Sequence, residues 1–281
     1  MDENREAYTA ALAGLSHVLS KYDTGFAERI PFPLHQMKEG ATRAVSLAAA
    51  GESLKEAVAS QMQSIFTLIQ IRGQSAPSRN LTYLPLKPLS LKGDTDRANT
   101  IFPVAAEASE DAPEKPDERL KAVSEGMIAL RDVRENQKDA ETYLESLMLL
   151  LQRELWCVSS GMHGASLFDY ARATAALTVC LAGEGSDSKV ATLVGGDISG
   201  IQNFIYTITS KGAASALRGR SLYLQLLTDA IARYVLRKLN LPITNLLFAG
   251  GGHFFILARP GVDLKTIRRT ISQILLSLHG G

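Results

Sequence analysis

Gly195-Gly196-Asp197-Ile198-Ser199-Gly200-Ile201-Gln202 decides how the second half of the chain reads. Val190 to Ile198 is a run rich in β-branched residues, so a strand delivers the Asp197 carboxylate into a turn of small residues at its C-terminal end. Strand ends of this kind are ligand sites in open sheets. A carboxylate there can bind Mg²⁺ together with a neighbouring backbone carbonyl, and a Ser-Gly turn can bring N–H groups close to phosphate oxygens. The plainer alternative is that Asp197 caps the turn and the glycines supply φ > 0.

Downstream of this strand, Leu217 to Leu239 has the spacing of a long amphipathic helix. Ile243 to Phe248 and Phe254 to Ala258 are short apolar strands joined through Gly250-Gly251-Gly252, and Leu264 to Leu278 is a further helix. The order is βαββα, a ferredoxin-like palm lacking its last strand. The open strand position implies either truncation or completion by a partner.

In catalytic palms the hairpin carries an acidic pair after two glycines, because two-metal phosphoryl transfer needs several carboxylates to hold the ions. Here those places read Gly252 and His253. Asp197 is the single metal candidate, so this palm is not expected to catalyse nucleotidyl transfer by itself, and no catalytic residue is assigned. The nucleotide-binding candidates are Asp197, Ile198, Ser199, Gly200, Gly250, Gly251, Gly252 and His253. The glycines leave room for a base or ribose; His253 either contacts a nucleotide or is an ordinary hairpin residue. Arg218 and Arg220 open the long helix, where anions are favoured, and grip phosphate or an acidic partner. Alternatively they are a solvated face with Ser221 as N-cap. Arg233, Arg237, Lys238, Arg268 and Arg269 read as solvated or partner-facing.

Upstream of Gly183 the text is mainly helical. Residues 5 to 22 and 40 to 72 carry the 3-4 apolar spacing. From Gly73 to about Glu118, Pro77, Pro85, Pro88, Pro103, Pro113 and Pro116 exclude a continuous helix, and the acidic stretch Glu107 to Glu118 is expected to be mobile. Helical spacing returns from Leu120 through Met148 to Trp156, and from Leu167 to Leu181, where Ala-rich text suits close packing. An HD-type phosphohydrolase would need clustered His and Asp ligands. This half offers His17, His35 and His163 without an adjacent His-Asp pair, so they read as structural or surface residues and nuclease activity is not expected.

The fold class is thus α+β. Residues 1–182 form an α-rich, degenerate HD-like domain with a mobile loop around 73–118, and residues 183–281 form the incomplete palm. A chain of 281 residues accommodates two such domains. The formal net charge of +1 removes any argument from bulk charge for nucleic-acid binding, which must come from local features. Cys157 and Cys180, the 2 cysteines, lie in apolar helical text and read as core. No run of eighteen apolar residues suggests a membrane span, and the charged start is unlike a secretory signal. A soluble, cytoplasmic protein is expected.

Gly196-Asp197-Ile198-Ser199-Gly200-Ile201-Gln202-Asn203-Phe204-Ile205-Tyr206, then Leu217-Arg218-Gly219-Arg220-Ser221, then Gly250-Gly251-Gly252-His253-Phe254 resemble, in order and spacing, the first palm of the type III-A CRISPR large subunit, the Cas-ten family of the Csm type. The likeness extends upstream through Gln63-Ser64-Ile65-Phe66, Pro85 to Leu91, Ile101-Phe102-Pro103, Leu155-Trp156-Cys157 and Ser166 to Tyr170. It covers roughly residues 60 to 260. The resemblance implies a subunit of an RNA-guided antiviral complex that joins ATP into cyclic oligoadenylates between two palms, using Mg²⁺ or Mn²⁺ shared with the partner palm. The implied partners are a chain bearing a Gly-Gly-Asp-Asp palm, other type III effector subunits, and crRNA and target RNA through the complex. A catalytically inactive scaffold at the crRNA 5′ end is the alternative. This chain departs from the family where the HD motif would fall, near Leu12 to Tyr22, and at Tyr170, where a histidine usually follows Asp169.

Overall fold

A computed structural model describes residues 3–34, 38–48, 60–62, 81–83, 105–107, 116–133, 138–161, 164–182, 190–206 and 213–279. Five helices dominate its first part: α1 (Glu3–Leu19), α2 (Lys38–Ala48), α3 (Pro116–Asp132), α4 (Ala140–Leu155) and α5 (Leu167–Ala182). Four short strands accompany them: β1 (Ser60–Gln61), β2 (Leu81–Tyr83), β3 (Ala105–Glu107) and β4 (Val158–Ser159). The second part comprises β5 (Thr192–Asp197), α6 (Ile201–Tyr206), α7 (Ala213–Lys238), β6 (Leu246–Gly250), β7 (His253–Ala258) and α8 (Leu264–His279). The class is α+β, with one antiparallel three-stranded sheet.

The helical core forms because α1, α4 and α5 each carry a continuous apolar stripe. Leu12, Leu15 and Leu19 meet Leu144, Leu147, Leu151 and Leu167, all fully buried. Gly14 permits the closest helix approach, because a Cβ there would fall 2.6 Å from Ala175 Cα. The small residues of α5 therefore serve a backbone-to-backbone crossing with α1. Both cysteines are buried thiols and form no disulfide, and burial pushes the Cys180 thiol up to about 12.

The elements depart from the sequence reading in several places. Of the helical spacing of 40–72 the described residues hold α2, to Ala48, whereas Ser60 and Gln61 are extended and pair antiparallel with Ser159 and Val158; residues 49–59 and 63–72 lie outside the described residues. Gln63-Ser64-Ile65-Phe66, Pro85 to Leu91 and Ile101-Phe102-Pro103 lie outside the described residues, as do His35 and His163. Within the proline-rich stretch, β2 and β3 pair antiparallel. The Tyr83 ring of β2 meets Trp156 beyond α4 at a tilt of 46°, their centroids 5.1 Å apart.

The helix expected from Leu120 to Trp156 is two helices. The first starts at Pro116, a residue suited to the first helical turn, and the second restarts behind Asp139, whose carboxylate accepts hydrogen bonds from Glu141 N and Thr142 N. The hydrogen bond from the Thr142 hydroxyl, with those two N–H bonds, holds the Asp139 carboxyl below its ordinary 3.8. Asp139→Ala is expected to cost about 1 kcal/mol near neutral pH. A depressed carboxyl stabilises above its unfolded value and loses that contribution as pH falls through the folded one. Chemical denaturation should therefore show the wild-type advantage shrinking only below pH 3.8.

The sheet has the order β5-β7-β6 with every neighbour antiparallel. Thr192 to Asp197 align with Ala258 to His253 in unbroken register. Alternation buries Val194, Phe254 and Ile256 toward α7 and leaves Leu193, Phe255 and Phe248 on an open face. Helix α7 ends where Asn240 takes φ 51, with Leu241 N bonding back to Leu236 O at 2.9 Å. The strand expected from Ile243 begins instead at Leu246, because Ile243–Asn245 is a 3₁₀ turn. Buried Asn245 uses that turn to donate to Leu257 O at 2.7 Å and Ala176 O at 3.3 Å, joining β7 to α5. Arg259 Nε adds a bond to Val179 O in the last turn of α5.

Candidate functional site

At the C-terminal end of β5 the register places Asp197 opposite His253 on the adjacent strand. Asp197 Oδ1 lies 3.1 Å from His253 Nε2, and both side chains are more than half exposed. His253 Nδ1 lies 3.1 Å from Gly251 O. Ile198 N donates to Gly252 O at 2.9 Å, so the strand end and the hairpin form one hydrogen-bonded unit. The peptide then turns through Ser199 and Gly200, with Gly200 at φ 79, and α6 begins.

The glycines have separable causes. Gly251 and Gly252 are the two central residues of the β6–β7 hairpin, at φ 61 and 84, the conformation a tight right-twisted hairpin demands. Gly196 is required by packing: a Cβ would lie 2.1 Å from Phe254 Cζ. Gly251 and Gly200 face open space, whereas Phe248 and Phe255 lean beside Gly250 and Gly195 on the open sheet face. The hairpin thus owes its glycines first to turn geometry and only partly to free room.

Behind the sheet, β5, α7 and α8 enclose a cleft of about 700 Å³. Its polar lining comes from Asp197, Ser199, Arg268 and Ser272, and its apolar lining includes Ile231 and Ile271. Arg268, read from the sequence as solvated or partner-facing, stands on this cleft. The detectable signal was its place beside Ile267 and Ile271, on the inner side of the most amphipathic helix.

Arg218 and Arg220 are placed differently from expectation. Helix α7 starts at Ala213, so both lie in its second turn rather than at an anion-attracting start, and Ser221 is interior and not an N-cap. The reason is Ala213-Ala214-Ser215-Ala216, a run of strong helix propensity. Arg218 is exposed. Arg220 covers the Phe204 ring at 5.3 Å and donates to Phe204 O, holding α6 on α7.

In the helical part, Ser16, His17 and Lys21 line a second cavity of about 660 Å³. Burial and the Lys21 charge hold His17 below its ordinary value. Val18, which follows it, is fully buried. Asp169 accepts from Ser166 Oγ and Arg172 Nη2, both at 2.8 Å, and Tyr170 donates to Val45 O at 3.4 Å. Among the described residues no three His, Cys, Asp or Glu side chains come together in a metal-binding group. No described helix is long and apolar enough to cross a membrane.

An antiparallel sheet in the order β5-β7-β6, helices behind it and a carboxylate-imidazole pair at its turn end define an α+β protein with a candidate site at a strand end. Residues 190–281 match the family model described as Csm1 subunit domain B. The chain is 35% identical over 178 residues to the Cas10/Csm1 single-strand-specific deoxyribonuclease of subtype III-A from Methanocaldococcus jannaschii, covering 48% of this chain and 22% of that protein. The Mycobacterium tuberculosis counterpart is 36% identical over 158 residues, covering 48% and 19%. A solved Csm1–Csm4 cassette in complex with pppApApA shares the fold at a TM-score of 0.65 and 21% identity, over 98% of this chain and 43% of that one. Csm1 of T. onnurineus aligns at 0.62 and 21% identity, over 99% and 43%. Over part of its length the chain is thus similar to Cas10/Csm1 proteins of subtype III-A. It spans less than half the length of the relatives it matches.

Proposed function

We propose that the chain is a cytoplasmic subunit of a type III-A CRISPR effector complex, in which residues 183–281 are a cyclase-type palm that holds ATP and residues 1–182 a degenerate HD-like domain. The observation carrying this reading is the joined strand end and hairpin, Asp197 beside His253, bordering a cleft that also presents Ser199 and Arg268, within the span that matches Csm1 domain B. Solved Csm1–Csm4 cassettes in complex with one ATP and with cA4 support the ligand class.

In this reading the carboxylate orients a cation or ribose hydroxyl, Arg268 offsets phosphate charge, and the apolar wall of the cleft, including Ile231 and Ile271, gives a base its surface. Arg220 acts by holding α6 in place. A divalent cation, when bound, would neutralise triphosphate charge, with Asp197 and His253 the residues here to hold it. One carboxylate does not make a two-metal centre, so bond formation falls to a partner palm bearing Gly-Gly-Asp-Asp. The HD-like half contributes no cleavage, since His17 precedes a buried valine and Asp169 is committed to Ser166 and Arg172.

The test is equilibrium binding of ATP to the chain assembled with its effector partners. Micromolar affinity is expected. Normal assembly with crRNA and target RNA but no nucleotide affinity would overturn the reading in favour of a scaffold at the crRNA 5′ end.

A further inference from the structure

We infer that the cavity between α1 and α2 is a binding site for a free α-amino acid with an aromatic side chain, tryptophan filling it best. The inference concerns the helical part and does not rest on the nucleotide reading of the palm.

The cavity, of about 660 Å³, has the size of a small-molecule site, and its walls are graded from apolar to charged. Ala13, Phe32 and Ala41 line it and are themselves buried, so its floor is apolar and the alanines leave the room. Ser16, His17 and Ser20, from the last turn of α1 and the residue after it, form the next level. The Ser20 Oγ is buried and, among the described residues, has no hydrogen-bond partner, which costs free energy until a ligand's polar atom meets it. Burial, with the Lys21 charge beside it, holds His17 below its ordinary 6.5, so at neutral pH the ring is uncharged and offers one donor and one acceptor. Lys21 and Glu28 stand at the exposed rim.

These features select a zwitterion. An anion such as a phosphate would meet one ammonium, one carboxylate and an uncharged imidazole, a balance without net attraction. A simple cation meets the same balance. An α-amino acid brings both charges at once, its carboxylate to Lys21 and its ammonium to Glu28. Among the described residues neither Lys21 nor Glu28 joins an ion pair, whereas Arg29 and Asp23 pair with each other at 2.5 Å and do not line the cavity. Both rim charges are thus open to a ligand. The side chain follows from the inner levels. An aromatic ring suits an apolar floor that includes Phe32, with which it packs edge to face or offset, and an indole N–H or phenol O–H supplies the polar tip that Ser20 Oγ accepts from. An aliphatic amino acid would leave that hydroxyl unmet.

The experiment is calorimetric titration of L-tryptophan into the full 281-residue chain in EDTA at neutral pH. A Kd on the order of 100 µM is expected. N-acetyl-L-tryptophan, which lacks the ammonium, and L-tryptophanamide, which lacks the carboxylate, should each bind about fivefold more weakly. The two rim variants should cross: Glu28→Gln loses the preference over the N-acetyl compound and keeps that over the amide, and Lys21→Gln does the reverse. Both side chains are exposed, so thermal melts should match wild type. Ala41→Leu, which fills the floor, should abolish binding; where it also lowers the melting temperature, the crossed pattern of the rim variants decides. No saturation at millimolar tryptophan, equal affinity for the three compounds, unchanged preferences in the rim variants, or AMP binding competitively and more tightly than tryptophan overturns the inference, the last by assigning the cavity to a phosphate ligand.

Discussion

Asp197→Ala is expected to abolish detectable ATP binding by the assembled complex, a loss of roughly a hundredfold or about 3 kcal/mol. The size follows from what the carboxylate can do. A carboxylate repels the triphosphate, so its favourable contribution must come through a shared cation or an accepted ribose hydroxyl. Either is a charge-assisted contact, stronger than a neutral one. The side chain is 63% exposed, and the strand pairing between positions 197 and 253 is made by backbone. Removing the side chain therefore leaves the fold intact, and an unchanged melting temperature shows that the lost affinity is local. Asp197→Asn separates the two roles, because the amide oxygen still accepts from a ribose hydroxyl but is a poor cation ligand. Isothermal titration with ATP in Mn²⁺ checks both variants. Unchanged affinity in Asp197→Ala would remove the site's central residue and favour the scaffold reading.

The strand end was legible because three signals coincide there: β-branched text, a terminal carboxylate and an abrupt run of small residues. The Gly251–Gly252 turn was legible for a similar reason, since two consecutive glycines between apolar runs mark a tight hairpin. Helix α8 was readable from periodicity alone. What stayed hidden was long-range. The pairings of Ser60 with Ser159 and of Leu81 with Glu107 join segments whose local text does not encode a partner, and Ser60 sits inside a window with helical spacing. Ile243 looked like the start of a strand because β-branched residues suit strands. The need of buried Asn245 to reach Leu257 O and Ala176 O instead selected a 3₁₀ turn. Arg220 resembled a free phosphate ligand until packing placed Phe204 beneath it. Arg268 gained a place on the cleft through the packing of α8, which periodicity predicts only as a face without a destination.

Gly196→Val is expected to couple stability to the cleft, lowering the melting temperature by roughly 6–12 °C for a loss of about 3 kcal/mol. Gly196 is opposite Phe254 in the register, and its missing Cβ would lie between 2.1 and 2.8 Å from three atoms of the Phe254 ring. Phe254 is 5% exposed, and valine adds two further methyl groups at the point of contact. The sheet has two ways to respond. If the ring holds its place, β5 must move from β7, breaking the register that sets Asp197 against His253. If the ring swings, the neighbouring open volume is the 700 Å³ cleft, which Phe254 already lines, and it fills the space beside Arg268. Both responses weaken ATP binding although position 196 carries no polar group, so binding and melting temperature should fall together, unlike in Asp197→Ala. Gly195→Ala is the internal control: its Cβ would meet Phe255 at 3.3 Å on the open face, where the ring can tilt into solvent. Differential scanning calorimetry with parallel ATP titrations distinguishes the two glycines. Equal, near-zero shifts in both variants would show that the Phe254 ring does not depend on the missing side chain at position 196.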